Sequence, residues 1–317
     1  MIVDEVTRKF NEIFIPGLLE EMLAVVSENR RFAYYTMADT ATKILQNGEI
    51  WLRNATVMND FSEISYGLNL IQATFSGPLG KDFREAIDGI FEGTIAQTEK
   101  LLADWMPDWE LETYIACISV HKSTEDKSGR LSMWRAYGDT ALVVNNTPLV
   151  AVTDLLGVYS LPVAYLSRDQ YEARLGQITQ AIVDNKAYLE KLGQESLVGS
   201  IYQMLFHTAI GTKHPGFAEE QEWRLFHRPN EQSSKVVRPM TVVNGGVPQV
   251  VYVLPLRHDP ENGLHGADIP SLLDRVIVGP TEFPYVSAQA FRAILREAGV
   301  DGVESKVISS DIPLRAK

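Results

Sequence analysis

The chain reads as an α+β protein with a mainly antiparallel sheet, N-terminal helices and a helical hairpin inserted between strands. Three observations predict this. Apolar residues recur at helical spacing over 4–30, 60–110 and 168–213. Short β-branched and aromatic runs gather at 32–53, 114–145 and 220–278, and an Asn-Gly-Gly turn joins two of the later runs. With 317 residues, 45% of them hydrophobic and 22% charged, usage is that of a folded globular protein. One α+β domain over 1–317 is expected, in which 1–30 is a helical segment and 168–213 an insertion.

The elements follow in order. Val6, Phe10, Ile13 and Phe14 form one stripe, and Pro16 is placed to open a second helix ending near Ser27. Residues 32–36 are a strand. Asp39 can cap a helix through Ile44 and Leu45, which Gly48 stops before a strand at 49–53. Asn59-Asp60 opens a helix bearing Ile64, Leu68, Ile71 and Phe75, and Phe83, Ile87, Leu101 and Trp105 mark one longer helix after Gly80. A strand at 114–120, a polar loop at 121–130, a helical turn at 132–137 and a strand at 141–145 come next. The helical period returns with Tyr171, Leu175, Ile178 and Ile182, then after Gly193 with Leu197, Ile201, Met204 and Leu205. Strands are predicted at 220–227, 235–243, 247–256 and 273–278, the middle two joined by Asn244-Gly245-Gly246. A helix at 286–298 stops at Gly299, and 305–309 returns as an edge strand.

Forty-one acidic against 29 basic residues give a formal net charge of -12, so the surface field repels polyanions and disfavours non-specific nucleic-acid binding. The single cysteine, Cys117, excludes an intrachain disulfide and a cysteine-built zinc site, and reads as an inert buried thiol. No apolar leader and no run of about 18 apolar residues is visible, so a cytoplasmic protein without a membrane span is expected. The six histidines show no metal-ligand spacing, and no metal site is expected. Gly-x-Gly-x-x-Gly, Walker-type and Gly-x-Ser-x-Gly loops are absent.

Glu220-Gln221-Glu222-Trp223-Arg224 is the most informative stretch. Residues two apart in a strand share a face, so Glu220, Glu222 and Arg224 are expected to project together. A solvated face with an ion pair accounts for that pattern. The functional alternative is a carboxylate held in a cleft beside a guanidinium, stabilising a developing cation or orienting a sugar hydroxyl while the arginine meets phosphate. Tyr34-Tyr35-Thr36 offers hydroxyls for a ribose or amide and a ring to stack on a base; alternation assigns one tyrosine to the core. Trp134 and Tyr137, three apart on a helical turn, either pack in the core or wall a ligand pocket. Asn59 to Glu63 reads as a helix cap.

Several separated pieces, taken in order, resemble the bacterial family of domains of unknown function numbered 2971. They are Tyr35-Thr36 before Ile44, Leu45, Asn47 and Gly48; Met58-Asn59-Asp60 with Glu63; Met133-Trp134 with Tyr137; Glu222-Trp223-Arg224; residues 276–280; and residues 310–315. Phe61 departs from the proline usual in that family. The layout also resembles the ADP-ribosyltransferase fold: a strand bearing His or Arg with Thr or Ser, a short helix ending near Gly, and a catalytic Glu on a later strand.

That second resemblance implies a split sheet and NAD as substrate. It implies Glu222 as the carboxylate that stabilises the ribosyl oxocarbenium, Glu220 as the first member of a Glu-x-Glu pair, and Tyr35 standing where His or Arg is usual. Thr36, Arg53, Ser119, Trp134, Tyr137 and Arg224 are implied to bind the dinucleotide. Arg53 or Arg224 would meet its pyrophosphate, Tyr35, Trp134 or Tyr137 its nicotinamide, and Ser119 or Tyr137 would supply the middle motif. The implied activity is NAD-dependent ADP-ribosyl transfer or NAD glycohydrolysis, with a role such as toxin or phage defence. The alternatives are a non-catalytic nucleotide-binding sensor or immunity-type partner, and a metal-dependent phosphodiesterase. The expected partner is a nucleotide small molecule; the acceptor and a homodimer are left open.

Overall fold

The computed structural model describes residues 4–58, 64–146, 156–262 and 264–314. Among them the strands are, in chain order, β1 (Arg31–Thr36), β2 (Glu49–Asn54), β3 (Tyr114–His121), β4 (Thr140–Val144), β5 (Tyr159–Pro162), β6 (Ala164–Tyr165), β7 (Thr212–Lys213), β8 (Glu222–His227), β9 (Arg238–Asn244), β10 (Val247–Pro255), β11 (Leu273–Val278) and β12 (Val307–Ser309). The chain divides into two compact units. A helical unit gathers Met1–Leu23, Asn54–Thr113 and Leu161–Ala218; a sheet unit gathers Ala24–Arg53, Tyr114–Ser160 and Glu219–Lys317. No helix among the described residues is long and apolar enough to cross a membrane.

In the helical unit, Asp4 accepts from the Thr7 N–H and starts the helix Glu5–Phe14. The helix expected to open at Asn59-Asp60 is seen as Ser65–Phe75, and its predicted start lies outside the described residues. The one long helix expected after Gly80 is two, Pro78–Asp88 and Thr94–Leu111, because Gly93 at φ 80° is left-handed and no continuous helix contains such a residue. The stretch expected as a hairpin comprises three helices, Arg168–Asp184, Lys186–Leu192 and Gln194–Gly211. Ser167 and Gln170 form a capping box at the first. Trp109, fully buried, donates from its indole N–H to Tyr202 Oη at 2.9 Å and so satisfies its one polar atom.

In the sheet unit the strand order is β12-β11-β4-β1-β3-β2-β10-β9, and β8 joins on β3. The pairs β1–β3, β1–β4, β4–β11, β3–β8, β2–β10 and β9–β10 are antiparallel; β11 and β12 are parallel. The sheet branches at β3, which has three partners for two edges. β8 pairs along Tyr114 to Ser119, and β1 only along Ser119 to His121. β8 is buried at all six positions instead of alternating, the pattern of a strand covered on both faces. The far edge behaves otherwise. β9 is mostly exposed, and its hairpin to β10 turns through Gly245 and Gly246 at φ 59° and 81°, the two positive angles that a two-residue type I′ turn requires.

Two layers flank the sheet. On one face Ala33, Tyr35, Ala141, Val143 and Ile277 pack with Met133 and Trp134 of the helix Leu131–Ala136. On the other, Leu142, Val276 and Val278 meet Ile44 and Leu45 of the helix Ala38–Asn47 and Phe291 and Leu295 of the helix Pro284–Glu297. Gly48 stops the first of those helices at φ 62°, as expected, but Asp39 does not cap it. Asp139, a hundred residues on, accepts the Ala38 N–H at 2.8 Å, while Asp39 pairs with Lys43. Cys117 is half-buried instead of fully enclosed.

Candidate functional site

Antiparallel register sets Ala33 of β1 opposite Ser119 of β3, and Ser119 opposite Glu222 of β8. The three therefore share one face in a row across three strands. Ser119 is buried, and its hydroxyl points at Met133 Sδ, 3.9 Å away. Two residues along β8, Arg224 stands opposite Cys117 on the same face and donates from Nε to Glu222 Oε1 at 2.7 Å. The side chains are 1% and 4% exposed, so this is not the solvated pair that the sequence pattern allows. Desolvating two ions costs several kcal/mol each, which makes the pair a poor stabiliser and a candidate for chemistry.

Glu220 does not share that face. The strand begins at Glu222, Gln221 has φ 45°, and Glu220 closes the 3-10 turn Pro215–Glu220. A left-handed residue that is not glycine interrupts the pleat, so the expected three charges on one strand face are corrected to two. Glu220 is held from another direction: Tyr137 Oη donates to Glu220 Oε1 at 2.9 Å.

The turn is fixed by Arg130, which sequence reasoning missed. Its Nη1 donates to the carbonyls of Glu219 and Glu220, both at 2.8 Å, and its Nη2 to the Val120 carbonyl at 2.7 Å. Nε meets Glu125 Oε1 at 2.8 Å, and the Val120 N–H donates to the Gln221 carbonyl at 2.8 Å. A planar fork of five donors suits such a task, where a lysine would meet one or two acceptors. The Arg130 side chain is 11% exposed. The only sequence signal was the charge density of the loop at 121–130.

The same loop anchors a charged cluster at the strand ends. Arg31 donates to Asp274 and Asp126, each at 2.7 Å, Arg275 to Asp274 at 2.7 Å, and His121 Nε2 lies 2.9 Å from Asp126. Burial disfavours the Arg31 cation, yet its bonds to Asp274 and Asp126 outweigh that and hold its pKa above the ordinary value. Asp274 is held below the ordinary value because bonds from Arg275 and Arg31 outweigh its burial. Burial pulls His121 down, against Asp126 and Glu125. Among the described residues no group of three His, Cys, Asp or Glu side chains is placed to hold a metal ion.

Tyr35 and Trp134 are built into the wall of this region. Tyr35 is buried, its ring meets Trp134 edge-on at 4.8 Å between centroids, and its hydroxyl accepts the Arg130 backbone N–H at 2.9 Å. Burial pushes its pKa up to about 12. Trp134 donates from Nε1 to the Ser128 carbonyl at 2.8 Å. Thr36 lies three residues beyond Ala33, so alternation turns it to the opposite face, where β1 pairs it with Thr140. Gly138 at φ 141° lets the following loop approach there; a Cβ on it would sit 2.5 Å from the Thr36 carbonyl. Arg53 of β2 donates from Nε to Gln249 Oε1 at 3.2 Å. The fold thus brings Ser119, Glu222, Arg224 and Tyr35 to one face, with Tyr137 tied to Glu220 beside them, and leaves Thr36 on the other.

The model of the family described as "Protein of unknown function (DUF2971)" matches residues 133–225, which carry Met133-Trp134, Tyr137 and Glu222-Trp223-Arg224. No curated protein and no solved structure matches the chain.

Proposed function

We propose that this chain, whose residues 133–225 belong to the DUF2971 family, cleaves NAD at the nicotinamide–ribose bond as an ADP-ribosyltransferase or NAD glycohydrolase. The observation that carries the reading is Glu222, 5% exposed, in register with Ser119 at the branch of the sheet and bonded to Arg224. Heterolysis sends the bonding electron pair out with nicotinamide and leaves positive charge at the ribose C1′ and ring oxygen. A fixed carboxylate in a dry site favours that charge more than it favours the ground state. Arg224 supplies a guanidinium for the pyrophosphate, and Ser119 a hydroxyl. Glu220, oriented by Tyr137, takes the proton of the water or acceptor hydroxyl that attacks C1′. Tyr35 and Trp134 support the wall; Thr36, on the other face, drops out of the reading.

The test is nicotinamide release from NAD by the purified protein. Glu222→Gln is expected to lower it about 100-fold or more, and Glu220→Gln, further from the buried pair, to lower it while leaving the melting curve in place. No release and no NAD binding in calorimetry would overturn the reading. Binding without release would select a non-catalytic nucleotide sensor, a second reading favoured by one observation: Glu222 is already engaged by Arg224 with both groups enclosed.

A further inference from the structure

The face of the sheet opposite Glu222 holds a partly enclosed cavity of about 100 Å³ within the sheet unit. Its wall is apolar, formed among others by Ile44 and Leu45 of one helix, Ile118, Leu142 and Leu225 of three strands, and Tyr34 of β1. Protein interiors fill such space as closely as organic crystals do, so an opening of this size in a leucine and isoleucine wall is an exception. Water gains little there. A bound water needs two to four polar partners, whereas engineered apolar cavities of about 150 Å³ stay dry and accept benzene.

The wall carries one further oddity. Tyr34, half-buried, lines the cavity, and among the described residues no hydrogen bond to its hydroxyl is seen, whereas a tyrosine hydroxyl facing an apolar space is usually bonded. Burial pushes its pKa up to about 12, so the group is a neutral donor at physiological pH. An apolar space faced by a single unused donor defines a ligand. We infer that this cavity binds a small, neutral, ring-sized apolar molecule carrying one hydrogen-bond acceptor, which takes the Tyr34 O–H while the leucine and isoleucine side chains enclose its body. The site is separate from the Glu222 face, and its ligand is not the dinucleotide.

Two probes of the same shape decide it: acetophenone, with a ring and one carbonyl oxygen, and ethylbenzene, with the ring and no acceptor. Titrated into the full chain and followed by heteronuclear NMR, both are expected to shift the amides of Leu142, Leu225, Leu254 and Leu256. Acetophenone should bind roughly 3- to 10-fold more tightly, the net worth of one hydrogen bond. Tyr34→Phe is expected to abolish that difference and keep ethylbenzene binding, and Leu225→Phe to weaken both by occupying the space. Absence of cavity shifts with either probe at millimolar concentration would overturn the inference. So would a preference for acetophenone that survives Tyr34→Phe.

Discussion

Two adjacent tyrosines on β1 meet two different environments. Tyr35 is buried and Tyr34 half-buried, and desolvation pushes both pKa values up to about 12. Tyr35 faces an ordered region: its hydroxyl takes the Arg130 N–H, its ring meets Trp134, and the Arg130 guanidinium is paired with Glu125. Tyr34 faces an apolar cavity and offers a hydroxyl to nothing among the described residues. The comparison teaches that burial alone does not distinguish a structural phenol from one held for a ligand; the accounting of its hydrogen bond does.

The sharpest way to break the ordered face is to remove its fork. Arg130→Met leaves the Glu125 carboxylate and three carbonyls without their donor, and should cost about 3–5 kcal/mol in urea unfolding, the cost of stranding one partner of a buried pair. A loss under about 1 kcal/mol would show that the turn at Gln221 holds itself. Next in size, Tyr35→Phe strands the Arg130 N–H and should cost about 1–3 kcal/mol. The matching change on the other face, Tyr34→Phe, removes a hydroxyl that has no partner, and should alter stability by no more than about 0.5 kcal/mol, in either direction. Equal effects of the two substitutions would erase the distinction between the faces.

Acid should act through the buried imidazoles. Burial holds the folded pKa of His121 and His227 below the ordinary imidazole value of 6.5. Between the folded and unfolded values the unfolded chain binds more protons, so stability rises with pH through that window. The contribution is therefore complete above about pH 7.5 and is lost as pH falls below 6.5 towards the folded values. Unfolding midpoints across pH 5–8 check this: His227→Gln should flatten the acid limb, and an unchanged slope would remove His227 from it.

Much of the sheet was legible because its signals are local. Period-two alternation placed Glu222 and Arg224 on one face, Asn244-Gly245-Gly246 announced the hairpin, and Gly48 and Gly299 marked helix ends. What failed was non-local or turned on one dihedral angle. Asp139 rather than Asp39 caps the helix Ala38–Asn47, a choice made by a segment a hundred residues away. Nothing in Glu220-Gln221-Glu222 signals the left-handed Gln221 that separates the two acids. Thr36 was grouped with Glu222 because sequence carries no register; pairing of Ala33 with Ser119 and Ser119 with Glu222 turns it away. Arg130 reads as one charge in a charged loop, since a fork that gathers three carbonyls from two distant segments leaves no periodic trace. The gathering of three separate helical stretches into one unit was equally invisible to a reading that moves along the chain.

Amide hydrogen exchange with and without saturating NAD tests the central claim most directly, because it reports which face the dinucleotide touches. Protection is predicted at 119–125 and 219–224, around Ser119, Glu220, Glu222 and Arg224. Protection confined to the cavity segments 142–144, 254–256 and 269–273, or an unchanged exchange pattern, would contradict the account.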